Sequence, residues 1–431
     1  IGAVLHDDEG VDAALTHRLA PLRDRLPVDA FVVMEDGADV DPAFADDLRY
    51  EELIAGQQPA EPDDVDENEA ASICYTSGTT GRPKSVVYSH RSVVLHALGQ
   101  LMVDGHGIRR GDGVLPLTPM FHVNCWGLPY SSGLAPASLV FAGADTSPHS
   151  VASLIERTRP NVLAGIPTFW VQMDEVFASG EYDLGSVERI LCGGAEPPPA
   201  LIRKYTDRGI DFFHGWGMTE MSPSGTGNWI PANSRDVEQR ASQGVAAPTV
   251  ELRLVAAAGT GLPWDGVSVG EIEARGPWIA AAYYEPDDDA NESRFHDGWL
   301  RTGDVGRIRP DGTLEIVDRT KDLVKSGGEW ISSVELERAL AAHPAVKESA
   351  VVAVPHPRWG ERPAALVVLK EGAEAGEEEL KEFLAARVAS WQVPDVIEVV
   401  DDLPKTGVGK VDKRRLREEV VPALSGRLPQ S

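Results

Sequence analysis

Apolar and polar positions along this chain change texture three times. Through the first sixty residues helix-like and strand-like runs interchange, and Phe31-Val32-Val33-Met34 reads as a short buried strand between acidic turns. Glu61 to Glu69 gathers charge around a proline and reads as a solvated connector. Short apolar or β-branched runs then alternate with helical stretches: Val86-Val87-Tyr88, Ser138-Leu139-Val140-Phe141, Asn161-Val162-Leu163-Ala164 and Arg189-Ile190-Leu191-Cys192. Strand–helix alternation of this kind predicts an α/β fold with largely parallel sheets. Between residues 250 and 320 the runs Glu251–Val255, Glu271–Arg275 and Thr313–Val317 alternate apolar with polar, as a half-exposed β subdomain does. From residue 322 onward an α+β pattern follows, with helices over Val334–Leu340 and Glu377–Ala389 and strands over Ala350–Val354 and Ala364–Leu369.

These textures divide the chain into a large N-terminal domain, 1–320, of stacked and mostly parallel sheets with helices plus a β subdomain, and a small α+β C-terminal domain, 321–431. No internal repeat is visible. The 431 residues, 42% hydrophobic and 25% charged, are ample for two or three packed cores. No run approaches the ~18 apolar residues of a membrane-spanning helix, and the start lacks the features of a secretory signal. The expectation is a cytoplasmic protein with no integral membrane segment. Cys74, Cys125 and Cys192 lie far apart without a Cys-x-x-Cys pair, which suits buried thiols rather than zinc or disulfides. A net charge of −28 argues against nucleic acid and anionic membranes as general partners. Any phosphate-bearing ligand must therefore meet a locally basic or donor-rich site.

The stretch Tyr75-Thr76-Ser77-Gly78-Thr79-Thr80-Gly81-Arg82-Pro83-Lys84 provides one. Hydroxyls and glycines let backbone N–H groups wrap a polyphosphate, and Lys84 adds a mobile positive charge. A proline before the lysine separates it from the Walker loop. Glu220 offers a hard oxygen for Mg²⁺ carrying ATP phosphates, Thr219 a hydrogen bond to the α-phosphate, and Trp216 a flat face for a purine. Asp304 can accept from both ribose hydroxyls, and Arg319 can donate to the same sugar.

Tyr75–Lys84 resembles the phosphate loop of the adenylate-forming superfamily, which includes acyl-CoA synthetases, luciferases and adenylation domains. Further segments resemble that family's motifs in order: Pro119–Asn124 around His122, Gly193-Gly194-Ala195-Glu196, Gly215-Trp216-Gly217-Met218-Thr219-Glu220, Arg301–Asp304, Asp318–Asp322 and Pro404–Lys410. The resemblance implies ATP, Mg²⁺ and coenzyme A as co-substrates and cofactor. It implies an ATP site of Thr76 to Gly81, Lys84, Gly194, Ala195, Glu196, Gly215 to Thr219, Asp304 and Arg319, with Glu220 and Thr79 as metal ligands. Catalysis would fall to Lys410, Thr219, Glu220 and His122. Lys410 would bridge the substrate carboxylate and the α-phosphate. Lys321 would be the hinge about which the C-terminal lobe rotates, withdrawing Lys410 and presenting Lys325-Ser326-Gly327-Gly328-Glu329-Trp330 to coenzyme A.

His122-Val123-Asn124-Cys125-Trp126 is similar to the segment of bacterial medium- and long-chain fatty acyl-CoA synthetases in which a tryptophan gates the acyl tunnel. Trp126 and Gly193 are therefore candidates for the acyl site, and a fatty acid is the expected substrate. Ser85 stands where glycine is usual, and Trp216 where tyrosine is commoner. The chain opens Ile1-Gly2-Ala3-Val4, and the resemblance implies that about a hundred residues of the N-terminal domain precede this point and contribute to a homodimer. Open alternatives are a ligase for an aryl or short functionalised acid, adenylation without coenzyme A, and a truncated inactive nucleotide-binding protein.

Overall fold

The computed structural model describes residues 19–25, 30–33, 40–58, 64–76, 84–143, 145–228, 236–256, 259–284, 288–327, 329–405, 411–419 and 421–424. Contacts divide the chain into two compact units, residues 1–251 with 274–300, and residues 252–273 with 301–431.

The first unit centres on a seven-stranded sheet. Its order is Val245–Ala246, Ser224–Gly227, Asp211–Gly217, Arg189–Cys192, Val162–Gly165, Gly113–Pro116, Ser138–Leu139. The last five are parallel, and Ser224–Gly227 runs antiparallel to its neighbours. Alternation along the strands explains the continuous apolar runs in the sequence. Leu115, Leu163, Ile190 and Phe212 pack on one face against Trp170, Met173 and Tyr205 of the helices Pro167–Ser179 and Pro199–Asp207. Val114, Val162, Ala164 and Leu191 pack on the other, with Leu128, Trp126 and Phe213. A parallel sheet covered on both faces needs apolar residues at every position, and each buried Leu, Ile or Val contributes about 1.5–3 kcal/mol. The two largest buried aromatics satisfy their polar atoms: Trp170 Nε1 donates to the Gly165 carbonyl at 3.1 Å and Tyr205 Oη to the Trp170 carbonyl at 2.7 Å.

The run Val86–Tyr88 belongs to the strand Lys84–Ser89, which pairs antiparallel with Ala70–Thr76. Thr76 and Lys84 stand opposite each other at its open end. The strand expected at Phe31–Met34 is present at Val32–Val33, parallel to Leu48–Arg49, and Met34 lies outside the described residues.

The second unit holds two sheets. One contains Gly261–Leu262, Glu251–Val255, Gly270–Arg275, Trp299–Ile308 and Leu314–Arg319, in that order. The other is built on the hairpin Val346–His356 and Gly360–Leu369, flanked by Val396–Val399 and by the small hairpin Val324–Ser326 with Glu329–Ile331. Helices Ser333–Ala341 and Glu377–Ala385 cover one face through Leu336, Leu340, Leu380 and Leu384. The second helix ends four residues earlier than the pattern predicts, and Ser390–Gln392 forms a separate 3₁₀ turn. The predicted α/β fold, a large sheet domain with a small α+β domain after it, is the observed class.

Candidate active site

In the first unit the strand Arg189–Cys192 runs beside Asp211–Gly217, with Cys192 opposite His214, so Gly193 follows on next to Gly215. A methyl group at Gly193 would lie 3.3 Å from the indole Cη2 of Trp126 and 3.4 Å from the Gly215 carbonyl. The missing side chain is what lets the indole lie on this edge. Gly194 turns the chain with φ 83°, leaving Ala195 exposed and Glu196 half-buried. His214, fully buried, holds this loop. Its Nδ1 donates to the carbonyls of Ala241 and Ser242 at 3.0 Å, and it also bonds to the backbone of Ala195. Burial pushes its pKa down to about 4, so it is neutral at pH 7.

Trp216 pairs with Thr226 across the strand Ser224–Gly227. Gly217 must be glycine, because a Cβ there would meet the Pro223 carbonyl oxygen at 1.7 Å. The chain then extends through Met218 and makes the 3₁₀ turn Thr219–Met221, with Thr219 and Glu220 both buried. Tyr88 Oη donates to the Thr219 carbonyl at 2.6 Å, which ties the turn to the strand that begins at Lys84. Lys84 itself is buried.

Glu220 has partners the sequence did not reveal. Tyr283 Oη donates to Glu220 Oε1 at 2.6 Å, and Arg294 Nη2 stands 3.7 Å from the same oxygen. Burial, with the Glu220 charge next, pushes Tyr283 up to about 12 and keeps its proton on at neutral pH. No cluster of three or more His, Cys, Asp or Glu forms a metal cage among the described residues. A Mg²⁺ carried by ATP phosphates needs only one or two carboxylates, and Glu220 fits that requirement.

The segment His122–Trp126 is not an ordinary loop. Val123, Asn124, Cys125 and Trp126 all have positive φ, between 46° and 56°, forming one left-handed helical turn. Left-handed backbone costs roughly 1–2 kcal/mol per residue, so the turn is held by side chains. Ser72 Oγ donates to Asn124 Oδ1 at 2.8 Å, Cys125 Sγ to the Thr118 carbonyl at 3.1 Å, and Gln100 Nε2 to the Trp126 carbonyl at 2.7 Å. His122 is half-buried at the start of this turn.

In the second unit Asp304 and Arg319 are cross-strand partners, with Arg319 Nε 3.4 Å from Asp304 Oδ1. Asp304 is buried, while Arg319 is exposed. Burial lowers the Lys321 pKa against the opposing pull of Asp322. Asp318 is structural: its carboxylate accepts from the N–H groups of Ser333 and Val334 at the start of the helix Ser333–Ala341. Ser326 is buried and accepts from Arg362 Nη1 at 3.1 Å. Trp359 lies over Gly327, where a Cβ would meet it at 2.8 Å, and the Lys325 N–H donates to Glu361. The helix Lys413–Glu419 is basic at its start, and its cations are paired with carboxylates. Lys413 pairs with Glu337 at 2.7 Å, Arg417 with Asp322 at 2.5 Å, and Arg414 and Arg415 with Glu418 and Glu419. Ser77, Gly78, Thr79, Thr80, Gly81, Gly328 and Lys410 lie outside the described residues, as do the side chains of Glu329 and Trp330.

Residues 2–284 match the AMP-binding enzyme family and residues 335–410 match the AMP-binding enzyme C-terminal domain. The chain belongs to this family of adenylate-forming enzymes and is an AMP-forming acid–thiol ligase. It is 43% identical over 428 residues to a 3-methylmercaptopropionyl-CoA ligase of Ruegeria lacuscaerulensis, covering 96% of this chain and 78% of that protein. It is 41% identical to a medium-chain-fatty-acid–CoA ligase of Ectopseudomonas oleovorans, covering 93% and 75%. The ATP-bound structure of MatB from Rhodopseudomonas palustris superposes with a TM-score of 0.80 at 28% identity, covering 94% of this chain and 81% of that one. No helix among the described residues is long and apolar enough to cross a membrane.

Proposed function

We propose that this ligase activates an aliphatic carboxylic acid with Mg-ATP and passes the acyl group to coenzyme A. The observation that carries the reading is the buried Glu220, held by Tyr283 beside Thr219, in the turn that follows the strand supplying Gly215 and Trp216. In the first half-reaction a carboxylate oxygen attacks the α-phosphorus, the bond to pyrophosphate breaks, and acyl-AMP forms. Thr219 and Lys84 hold the phosphates, Trp216 stacks on the adenine, and Asp304 with Arg319 grips the ribose. Glu220, with Thr79, would hold Mg²⁺, which neutralises phosphate charge. Lys410 donates to the oxygens on which charge builds, and His122 orients the acid. In the second half-reaction the coenzyme A sulfur attacks the acyl carbonyl, its proton goes to solvent, and AMP leaves. Domain 321–431 would turn about Lys321 between the two, exchanging Lys410 for the hairpin of Lys325 to Trp330.

For the acid, a medium- to long-chain fatty acid is supported by the segment His122–Trp126 and by the Ectopseudomonas relative. A short functionalised acid is favoured by one specific observation: the space beside Gln100 measures about 20 Å³ and carries polar groups. The test is acid-dependent ATP–pyrophosphate exchange over straight-chain acids from acetate to palmitate, with benzoate and 3-(methylthio)propanoate alongside. Exchange that requires an acid, followed by coenzyme A-dependent release of AMP, is expected. Absence of exchange in a protein that still binds ATP would defeat the proposal.

A further inference from the structure

Behind Trp126 the first unit contains a small cavity lined by His96, Gln100, His106, Phe213, Ser224 and Trp278, among others. Three links tie it to the Gly193 edge. Gln100 Nε2 bonds the Trp126 carbonyl, the His96 imidazole stands 2.6 Å from where a Cβ of Gly127 would be, and Phe213 packs in the same apolar cluster as Trp126. Phe213 lies under Gly215, two residues along the same strand face. Its ring also meets His106 edge-on at 5.1 Å.

Part of the cavity's lining is polar. His96 and Gln100 are only 2% and 3% exposed. His96 Nε2 is 2.9 Å from Ser224 Oγ, and among the described residues neither Gln100 Oε1 nor His106 Nδ1 has a hydrogen-bond partner. Buried polar atoms without partners are uncommon, and each one calls for a ligand group or a bound water. A space of about 20 Å³ is large enough for one water-sized group and too small for further methylenes. No Lys or Arg lines it; burial, with His106 as a lesser cause, pushes His96 down to about 3, and burial, with Arg189 as a lesser cause, pushes His106 down to about 4. A charged tail would find no counter-ion among the lining residues.

Resting on the ligase reading, we propose that this cavity is the far end of the acyl site, where Gln100, with His96 and His106, selects acids whose tail ends in an uncharged hydrogen-bonding group, such as a hydroxyl. A terminal hydroxyl can donate to Gln100 Oε1 and exchange a hydrogen bond with His106 Nδ1. A terminal methyl of the same length leaves both buried atoms unpaired.

The experiment measures binding of non-reactive acyl-adenylate analogues by calorimetry, in pairs of equal length ending in hydroxyl or methyl, alongside exchange kinetics with the free acids. Wild type should prefer the hydroxyl member of the best-fitting pair by about tenfold, and Gln100→Met should abolish that preference. Ser224→Ala, a smaller change, should weaken it by releasing His96, and it serves if the first variant fails to fold. A purely structural role for Gln100 would move both members of a pair alike and leave their ratio intact. Equal binding of both tails by wild type, or an unchanged ratio in the variants, overturns the inference. Failure of every analogue to bind would count against the ligase reading that underlies it.

Discussion

Replacing Tyr283 with phenylalanine deletes one hydroxyl and leaves the ring, which packs edge-on against Phe295 at 5.2 Å. That hydroxyl makes the 2.6 Å bond to Glu220 Oε1, and both residues are buried. A net hydrogen bond to a charged group is worth about 1.5–3 kcal/mol. Because Arg294 stays 3.7 Å from the same oxygen, the lower end applies, and 1.4 kcal/mol is about tenfold in rate. The carboxylate also gains freedom to rotate away from the metal position. Tyr283→Phe should therefore lower acid-dependent ATP–pyrophosphate exchange about tenfold and raise the Mg²⁺ concentration needed for half-maximal rate. Thioester formation from supplied acyl-AMP, which needs no Mg-ATP, should be unaffected. Exchange and Mg²⁺ dependence identical to wild type would refute the argument and reduce Tyr283 to a packing residue.

Lys410→Ala should abolish adenylation while largely sparing thioester formation from supplied acyl-AMP; equal loss in both half-reactions would remove the role assigned to it. Lys413→Met leaves the half-buried Glu337 carboxylate, which also accepts from the Val351 N–H at 2.6 Å, without its cation, and should destabilise the protein by about 1–3 kcal/mol at pH 7. Burial already raises the Glu337 pKa above 4.5 in spite of Lys413. Its contribution is thus complete below pH 4.5 and lost as pH rises through the raised value. The penalty in Lys413→Met should consequently be smallest near pH 4.5 and grow above it, as denaturant midpoints at both pH values would reveal. His214 has the opposite sign: with a folded pKa of about 4 against 6.5 unfolded, its contribution is present above pH 6.5 and lost as pH falls through 4. His214→Asn should flatten the fall in urea midpoint over that window, and a slope equal to wild type would argue against a buried neutral imidazole.

The parts of this protein legible in its sequence are those that depend on neighbours a few positions away. Continuous apolar runs such as Asn161–Ala164 and Arg189–Cys192 announced strands buried on both faces, because a parallel sheet leaves no face for polar residues. The adenylation segments were legible because a phosphate loop or a Gly-x-Gly-x-Thr-Glu turn is local, and its chemistry is written in consecutive residues. Nothing local announces the left-handed turn at Val123–Trp126, since a valine at positive φ runs against its own preference. It exists because Ser72, Gln100 and Thr118 meet it from elsewhere in the fold.

The same limit explains the partners of the chemical groups. Glu220 could be read as a metal carboxylate, but its hold by Tyr283 and Arg294 arises from residues 63 and 74 positions later. Lys413 and Arg417 likewise pair with Glu337 and Asp322, 76 and 95 positions earlier in the chain. By itself the sequence determined which kinds of side chain are available and in what order. Only the tertiary structure decided which of them are buried together, because desolvation and hydrogen-bond pairing depend on distance in space and not on separation along the chain.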